Sequence, residues 1–288
     1  MSIKSVLVRL TGGESDRTAL DLALLAARPA AAHITALLAK RDASEALAYA
    51  VVGSGDVTAI RSFADRIVAE ADAAGGRAKR DFASWVRSHG LVETDRPGSG
   101  SDITAAYQER AGVPRRLIVE LGRAGDLIVL PGLFEAAAPR AELVIESALF
   151  ETGRPVLVAP PTARSTFKTG VVAWNGSVES NRALAAAVPL LENCAQLFIF
   201  SQAEAHQAAA DPAAAIDYLS WHGLAADWLR EYRDHGSVGK NLLAASTQVG
   251  ADLLVMGAYS RGRLQEIMFG TVTAHVLHHA TVPVLFSH

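Results

Sequence analysis

The chain contains a single cysteine, Cys194. One thiol excludes an intrachain disulfide framework and a cysteine-rich zinc site. With no base beside it in sequence, Cys194 reads as an incidental thiol rather than a nucleophile. Long apolar runs are missing as well. No stretch reaches the roughly 18 residues of a membrane span, and the opening MSIKSVLVRL lacks the apolar core of a secretory leader. The expectation is a soluble cytoplasmic protein. Charge of one sign is scarce, with a net of −3, which argues against a general nucleic-acid binder.

Several chemical signatures are absent too. No serine sits in a G-x-S-x-G elbow, so a hydrolase triad has no anchor. There is no Walker loop, G-x4-G-K-[ST]. Gly236-Ser237-Val238-Gly239-Lys240 resembles one superficially, but a turn with Ser237 as helix N-cap is the simpler account. His275 and His279 share one helical face at a metal-binding spacing, yet neither an H-E-x-x-H glutamate nor a third ligand accompanies them. The acids are scattered, and no pair suggests general acid–base work.

What is present is an alternation of short apolar runs and helical stripes. Val6–Val8 is a buried strand, Ser15 can cap a helix running to about Ala27, and His33–Leu38 is a second strand. Strands alternating with helices point to a parallel α/β sheet. The grammar restarts after the proline loop at Pro160-Pro161. Gly170–Trp174 is a strand, Asn175-Gly176-Ser177 a turn, Ser180–Leu191 a helix and Gln196–Phe200 a strand.

Three further pairings make this a long internal repeat. His89-Gly90-Leu91 matches His222-Gly223-Leu224. Gly125–Leu130 matches Ala251–Met256. Pro155-Val156-Leu157 matches Pro283-Val284-Leu285. Repeats this long mean two homologous domains rather than a solenoid, placed at residues 1–161 and 167–288. The first half carries an extra helical stripe, Ile60, Phe63, Ala64, Ile67, Val68 and Ala71, with Gly75-Gly76 as an expected break before Phe82, Trp85 and Val86. Its third strand is either Leu91–Thr94 or Ala105–Glu109.

The segment Ala251–His288 carries the chemistry. Leu253–Met256 is a strand, Gly257 frees the turn after it, and Gly270-Thr271 opens a helix followed by the strand Val282–Phe286. A glycine loop leading into a helix N-terminus offers free N–H groups and the positive end of the dipole to a phosphate. Thr271 adds a hydroxyl, and Arg261 or Arg263 can screen charge. The spacing resembles the G-x2-G-x9-G-[ST] signature of the universal stress protein family: Gly257 matches the first glycine, Gly270 the third and Thr271 the hydroxyl. Ser260 stands where the family has its second glycine.

That resemblance covers nearly the whole chain in tandem form. It implies two Rossmann-like domains of the adenine nucleotide alpha hydrolase-like kind, each a five-stranded, mainly parallel sheet with helices on both faces. It implies a stress-response protein binding ATP, with Mg2+, in the second half only. The residues carried over are Ala173, Asn175, Ser201, Met256, Gly257, Ser260, Arg261, Gly270, Thr271 and Val272. Asn175 replaces the family's aspartate, losing its charge; the Asn175-Gly176 pair also suits an ordinary turn.

The first half fits ATP poorly, because its first strand ends Arg9-Leu10-Thr11 and Glu142-Leu143 falls where the second half has Gly270-Thr271. Any hydrolysis would be slow. The competing reading is a nucleotide-independent interaction scaffold with an unknown protein partner. The family also implies that Val156–Val158 pairs with Val284–Phe286 inside the chain, with the extra stripe as a candidate homodimer surface.

Overall fold

In a computed structural model, the structure describes residues 2–40, 57–96, 102–133, 141–162, 166–202, 210–229, 236–258 and 270–288. In chain order the first half comprises β1 (Ser5–Leu10), α1 (Ser15–Ala27), β2 (His33–Lys40), α2 (Val57–His89), β3 (Val92–Glu93), β4 (Thr104–Ala111), α3 (Pro114–Gly122), β5 (Leu127–Pro131), α4 (Ala141–Thr152) and β6 (Val156–Ala159). The second comprises β7 (Thr169–Ala173), α5 (Val178–Leu191), β8 (Gln196–Phe200), α6 (Ala213–Trp221), β9 (Asp227–Trp228), α7 (Val238–Gln248), β10 (Leu253–Gly257), α8 (Thr271–His279) and β11 (Val284–Ser287).

All strands join one sheet in the order β3-β4-β2-β1-β5-β6-β11-β10-β7-β8-β9. Within each half every pairing is parallel. The halves meet through an antiparallel pair, β6 with β11, in which Leu157 faces Leu285 and Val156 and Val158 face Phe286 and Val284. Equivalent residues therefore cross about a local two-fold at the leucine pair, the internal pairing that the family resemblance implies.

Because βαβ crossovers cover both faces of a parallel sheet, its strands are apolar on both sides. Val6, Val8 and Leu10 of β1 join one core with α1, α2, α5 and α6. Leu7 joins the other core with α3, α4, α7 and α8. Among the described residues, no helix is long and apolar enough to cross a membrane.

Small devices recur in both halves. The Asp126 carboxylate accepts the Lys4 and Ser5 N–H groups at 2.8 and 3.1 Å. Asp252 does the same for Lys168 and Thr169, at 2.9 Å each. The glycines after β1 and β7, Gly12 and Gly176, have φ of +77° and +72°, which side chains resist. Replacing Asp252 with alanine leaves two strand-leading donors without that acceptor. The expected loss is about 1–3 kcal/mol of stability, read as a lower urea midpoint at unchanged m-value.

Three sequence expectations change. Gly75-Gly76 does not break the extra stripe, and α2 runs unbroken from Val57 to His89. At Gly75 the helix lies beside β2 and β4: an added Cβ would make ordinary contact, 3.4 Å, with both Leu38 and Glu109. Both candidates for the third strand are strands, since β3 pairs with β4 and β4 with β2. The first half thus has six strands, not five. Helix α1 begins at Ser15, so the N-cap position falls to Glu14, whose side chain makes no capping hydrogen bond. Its buried Asp16 turns back to accept hydrogen bonds from Thr11 N (2.8 Å), Thr11 Oγ1 (2.9 Å) and Gly12 N (2.8 Å). Of the stripe, Ile67, Val68 and Ala71 are half-buried, while the side chains of Ile60, Phe63 and Ala64 lie outside the described set.

Candidate functional site

In each half the strand order reverses beside the first strand, between β1 and β5 and between β7 and β10. A doubly wound sheet forms its ligand crevice outside the carboxyl ends of the strands at this point. In the second half the register brings Ala173 beside Met256 on one side and Phe200 on the other. Ser201 follows Phe200, Gly257 follows Met256, and α8 starts at the same end because it returns the chain from β10 to β11. The carboxyl end of the sheet therefore carries Ala173, Asn175, Ser201, Met256, Gly257 and the start of α8 at Gly270, Thr271 and Val272, with Met256 and Val272 packed in the second core. Ser260 and Arg261 lie outside the described residues.

The two motif glycines differ in what surrounds them. An added Cβ on Gly257 would lie 2.5 Å from Ser180 N and 2.6 Å from the Glu179 carbonyl carbon. Gly257 is thus held by packing, with the first turn of α5 pressed onto the end of β10. Gly270 has an ordinary backbone (φ −60°, ψ 144°), and among the described residues a Cβ there would meet nothing within 4 Å. No described side chain caps α8, and its first-turn carbonyl bond is Ala274 N to Gly270 O at 2.9 Å. Thr271 at the helix start is exposed, and Val272 is half-buried against the core.

The outer wall is held by the chain's own polar groups. Ser201 Oγ donates to Ala210 O at 2.7 Å, and the Trp174 indole donates to Asp211 O at 3.1 Å. Asn175 Oδ1 accepts from Ser177 N at 3.1 Å, an Asx turn that sets Ser177 to cap α5 through Ser180 N. Ser237 caps α7 in the same way, accepting from Lys240 N at 3.5 Å.

Helix α8 continues into a histidine cluster. His275 and His279 stack at 4.2 Å and 20°, and His278 lies 3.7 Å from Glu142 across the seam between halves. Gly239 of α7 leaves room for the His275 ring, which a Cβ would approach to 3.0 Å. Burial, then His279 and Lys240, holds the His275 pKa below its usual 6.5. The folded state thus binds fewer protons than the unfolded chain around that pH. This contribution to stability is present above about 6.5 and is lost as pH falls, and solvent screening around the partly exposed ring keeps it small. His33, lowered mainly by burial, acts with the same sign. A His275→Gln variant should show a shallower loss of melting temperature between neutral and mildly acidic pH. An unchanged slope would remove His275 from the account.

At the first-half crevice, Arg9 occupies the row that Ala173 holds in the second, and Asp16 closes the loop after β1. Glu142 lies in the first turn of α4. Cys194 is half-buried, and burial followed by Asp252 pushes its thiol up to about 12. Asp16 was not legible as a site element, since an aspartate in a first helical turn is ordinary.

Residues 166–288 match the sequence model of the universal stress protein family. No curated protein matches the chain. Among solved structures, a universal stress protein from Archaeoglobus fulgidus DSM 4304 is 17% identical, with 99% of this chain and 96% of that one covered and a TM-score of 0.68. A functionally unknown protein from Pseudomonas aeruginosa PAO1 is 16% identical, with 99% and 92% covered and a TM-score of 0.55. These likenesses extend the tandem fold over both halves.

Proposed function

From the match of residues 166–288 to the universal stress protein family model, we propose that this half binds an adenine nucleotide, ATP with Mg2+, in the crevice between β7 and β10. The observation that carries the reading is the start of α8: a glycine whose added Cβ would meet no described atom, at a helix N-terminus that no described side chain caps. Gly270 lets phosphate oxygens approach the backbone, and the N–H groups of Thr271 and Val272, with the Thr271 hydroxyl, hold them. Ala173 and Met256 support the base–sugar end beside Asn175, and Gly257 fixes the crevice floor. Ser260 and Arg261 complete the phosphate loop.

The two domains are residues 1–161 and 167–288. The first is structural, because Glu142 supplies the negative charge at its own helix start and would repel phosphate. The role is regulatory: occupancy is read by a protein partner, and any hydrolysis is slow. A homodimer through the half-buried stripe of α2 belongs to the same reading.

A second reading, a nucleotide-independent scaffold, is favoured by one observation. The Asn175 oxygen is engaged in the turn before α5. Calorimetry with ATP and Mg2+ on purified chain, after a check for co-purified nucleotide, separates the two. One equivalent bound supports the nucleotide site. No binding of ATP, ADP or AMP at millimolar concentration leaves the scaffold.

A further inference from the structure

The closing strands end on the same backbone bond in both halves. Gly132 N donates to Ala159 O, and Ala258 N donates to Ser287 O, each at 2.9 Å. Each bond ties the residue after an inner strand, β5 or β10, to the closing strand beside it, β6 or β11. The next position differs between the halves. The Pro-Val-Leu register sets His288 at the position of Pro160. Proline has no side-chain donor, whereas His288 Nδ1 reaches Ala258 O at 3.0 Å. A carbonyl only accepts, so Nδ1 carries the proton. The half with a glycine at its helix start thus makes a side-chain bond that Pro160 cannot make in the half with Glu142.

Ala258 is where the chain leaves β10 on its way to Gly270, so its carbonyl stands at the root of the segment assigned to phosphate. His288 also meets the other half. Its ring contacts Phe150 of α4 edge-on, with centroids 4.4 Å apart. The antiparallel seam makes this possible. It sets the carboxyl end of β11 beside the amino end of β6, with Phe286 opposite Val156, and α4 ends just before β6.

Helices α4 and α8 run in opposite directions across the seam and share one apolar core. At their other ends His278 lies 3.7 Å from Glu142. In the repeat His278 and Phe150 are counterparts, as are Glu142 and Gly270. The local two-fold therefore places Phe150 toward the end of α8 that begins at Gly270.

We propose, on the nucleotide reading above, that His288 positions the root of the phosphate segment and carries its occupancy to α4 of the first half. Phosphate held at the start of α8 draws on the chain between Ala258 and Gly270. The Ala258 carbonyl, the His288 ring and Phe150 make a continuous line of contacts from that root to α4. Coupling between two sites is reciprocal, so the group on α4 that holds the His288 ring also acts on nucleotide affinity. The first half then serves as the element that reads the second.

Calorimetry with ATP and Mg2+ on the full chain, with the Phe150 ring followed by NMR on phenylalanine-labelled protein, tests this. ATP should shift the Phe150 signals at saturation. His288→Ala should lower affinity by about fivefold or more and remove that shift. His288→Asn, whose amide keeps a donor, should recover most of the affinity but not the shift. The effects of Phe150→Ala and His288→Ala on affinity should be non-additive. A merely structural histidine would move the melting temperature without separating affinity from the Phe150 signal. Unchanged affinity in His288→Ala, or no shift at Phe150 with the site saturated, would overturn the coupling and leave the nucleotide site standing. A shift that survives His288→Ala would put Phe150 against the nucleotide directly and overturn the role of His288. No ATP binding by the unaltered chain would overturn the nucleotide reading, and this coupling with it.

Discussion

Gly270→Glu should abolish ATP binding while leaving the melting temperature nearly unchanged. The backbone at Gly270 is open to any L-residue, and its Cβ would meet none of the described atoms. The first half supplies a natural control, for Glu142 sits in the first turn of the equivalent helix without disturbing it. The fold should therefore accept the glutamate. The nucleotide should not, because a carboxylate at the helix start competes for the free N–H groups and repels the phosphates. Like charges juxtaposed in a binding site cost several kcal/mol, so affinity should fall by about a hundredfold or more. Calorimetry on the variant decides it. If affinity survives, the phosphates lie elsewhere, and α8 is an ordinary helix of the second core.

Gly257→Ala should behave in the opposite way. Its effect should fall on the fold with or without nucleotide, at about 1–3 kcal/mol. The added methyl would sit 2.5 Å from Ser180 N and 2.6 Å from a carbonyl carbon of Glu179. Both are backbone atoms of a capped first turn and cannot swing away like the end of a side chain. Either α5 lifts from β10 or the sheet bends, and each disturbs buried Ser180 and Ala183. Urea unfolding in the absence of ligand measures the loss. An unchanged midpoint would mean that α5 yields easily and that the glycine is free to serve a ligand.

The contrast between these glycines shows where sequence reasoning stopped. A motif records that both positions are glycine and cannot say that one is required by a neighbouring helix and the other is not. The repeat was legible because its anchors, Asp-Leu and Pro-Val-Leu, lie at strand starts whose geometry both halves share, down to the Asp126 and Asp252 carboxylates. The internal pairing of β6 with β11 followed from the family resemblance. The continuity of α2 was not legible, since two adjacent glycines weaken a helix by propensity, and the packing of the helix beside Leu38 and Glu109 is tertiary. The choice between Leu91–Thr94 and Ala105–Glu109 had no local answer because both pair.

The antiparallel seam between β6 and β11 bears on how the chain is made. Emerging from a ribosome, the first half completes β6 with one flank still unpaired. That flank waits through synthesis of the whole second half for β11. Val156, Leu157 and Val158 are buried and apolar in the finished sheet, and an unpaired apolar strand edge is the kind of surface that recruits other chains. The interval before the seam closes is therefore the period of greatest exposure to misassembly, and a second half arriving late prolongs it.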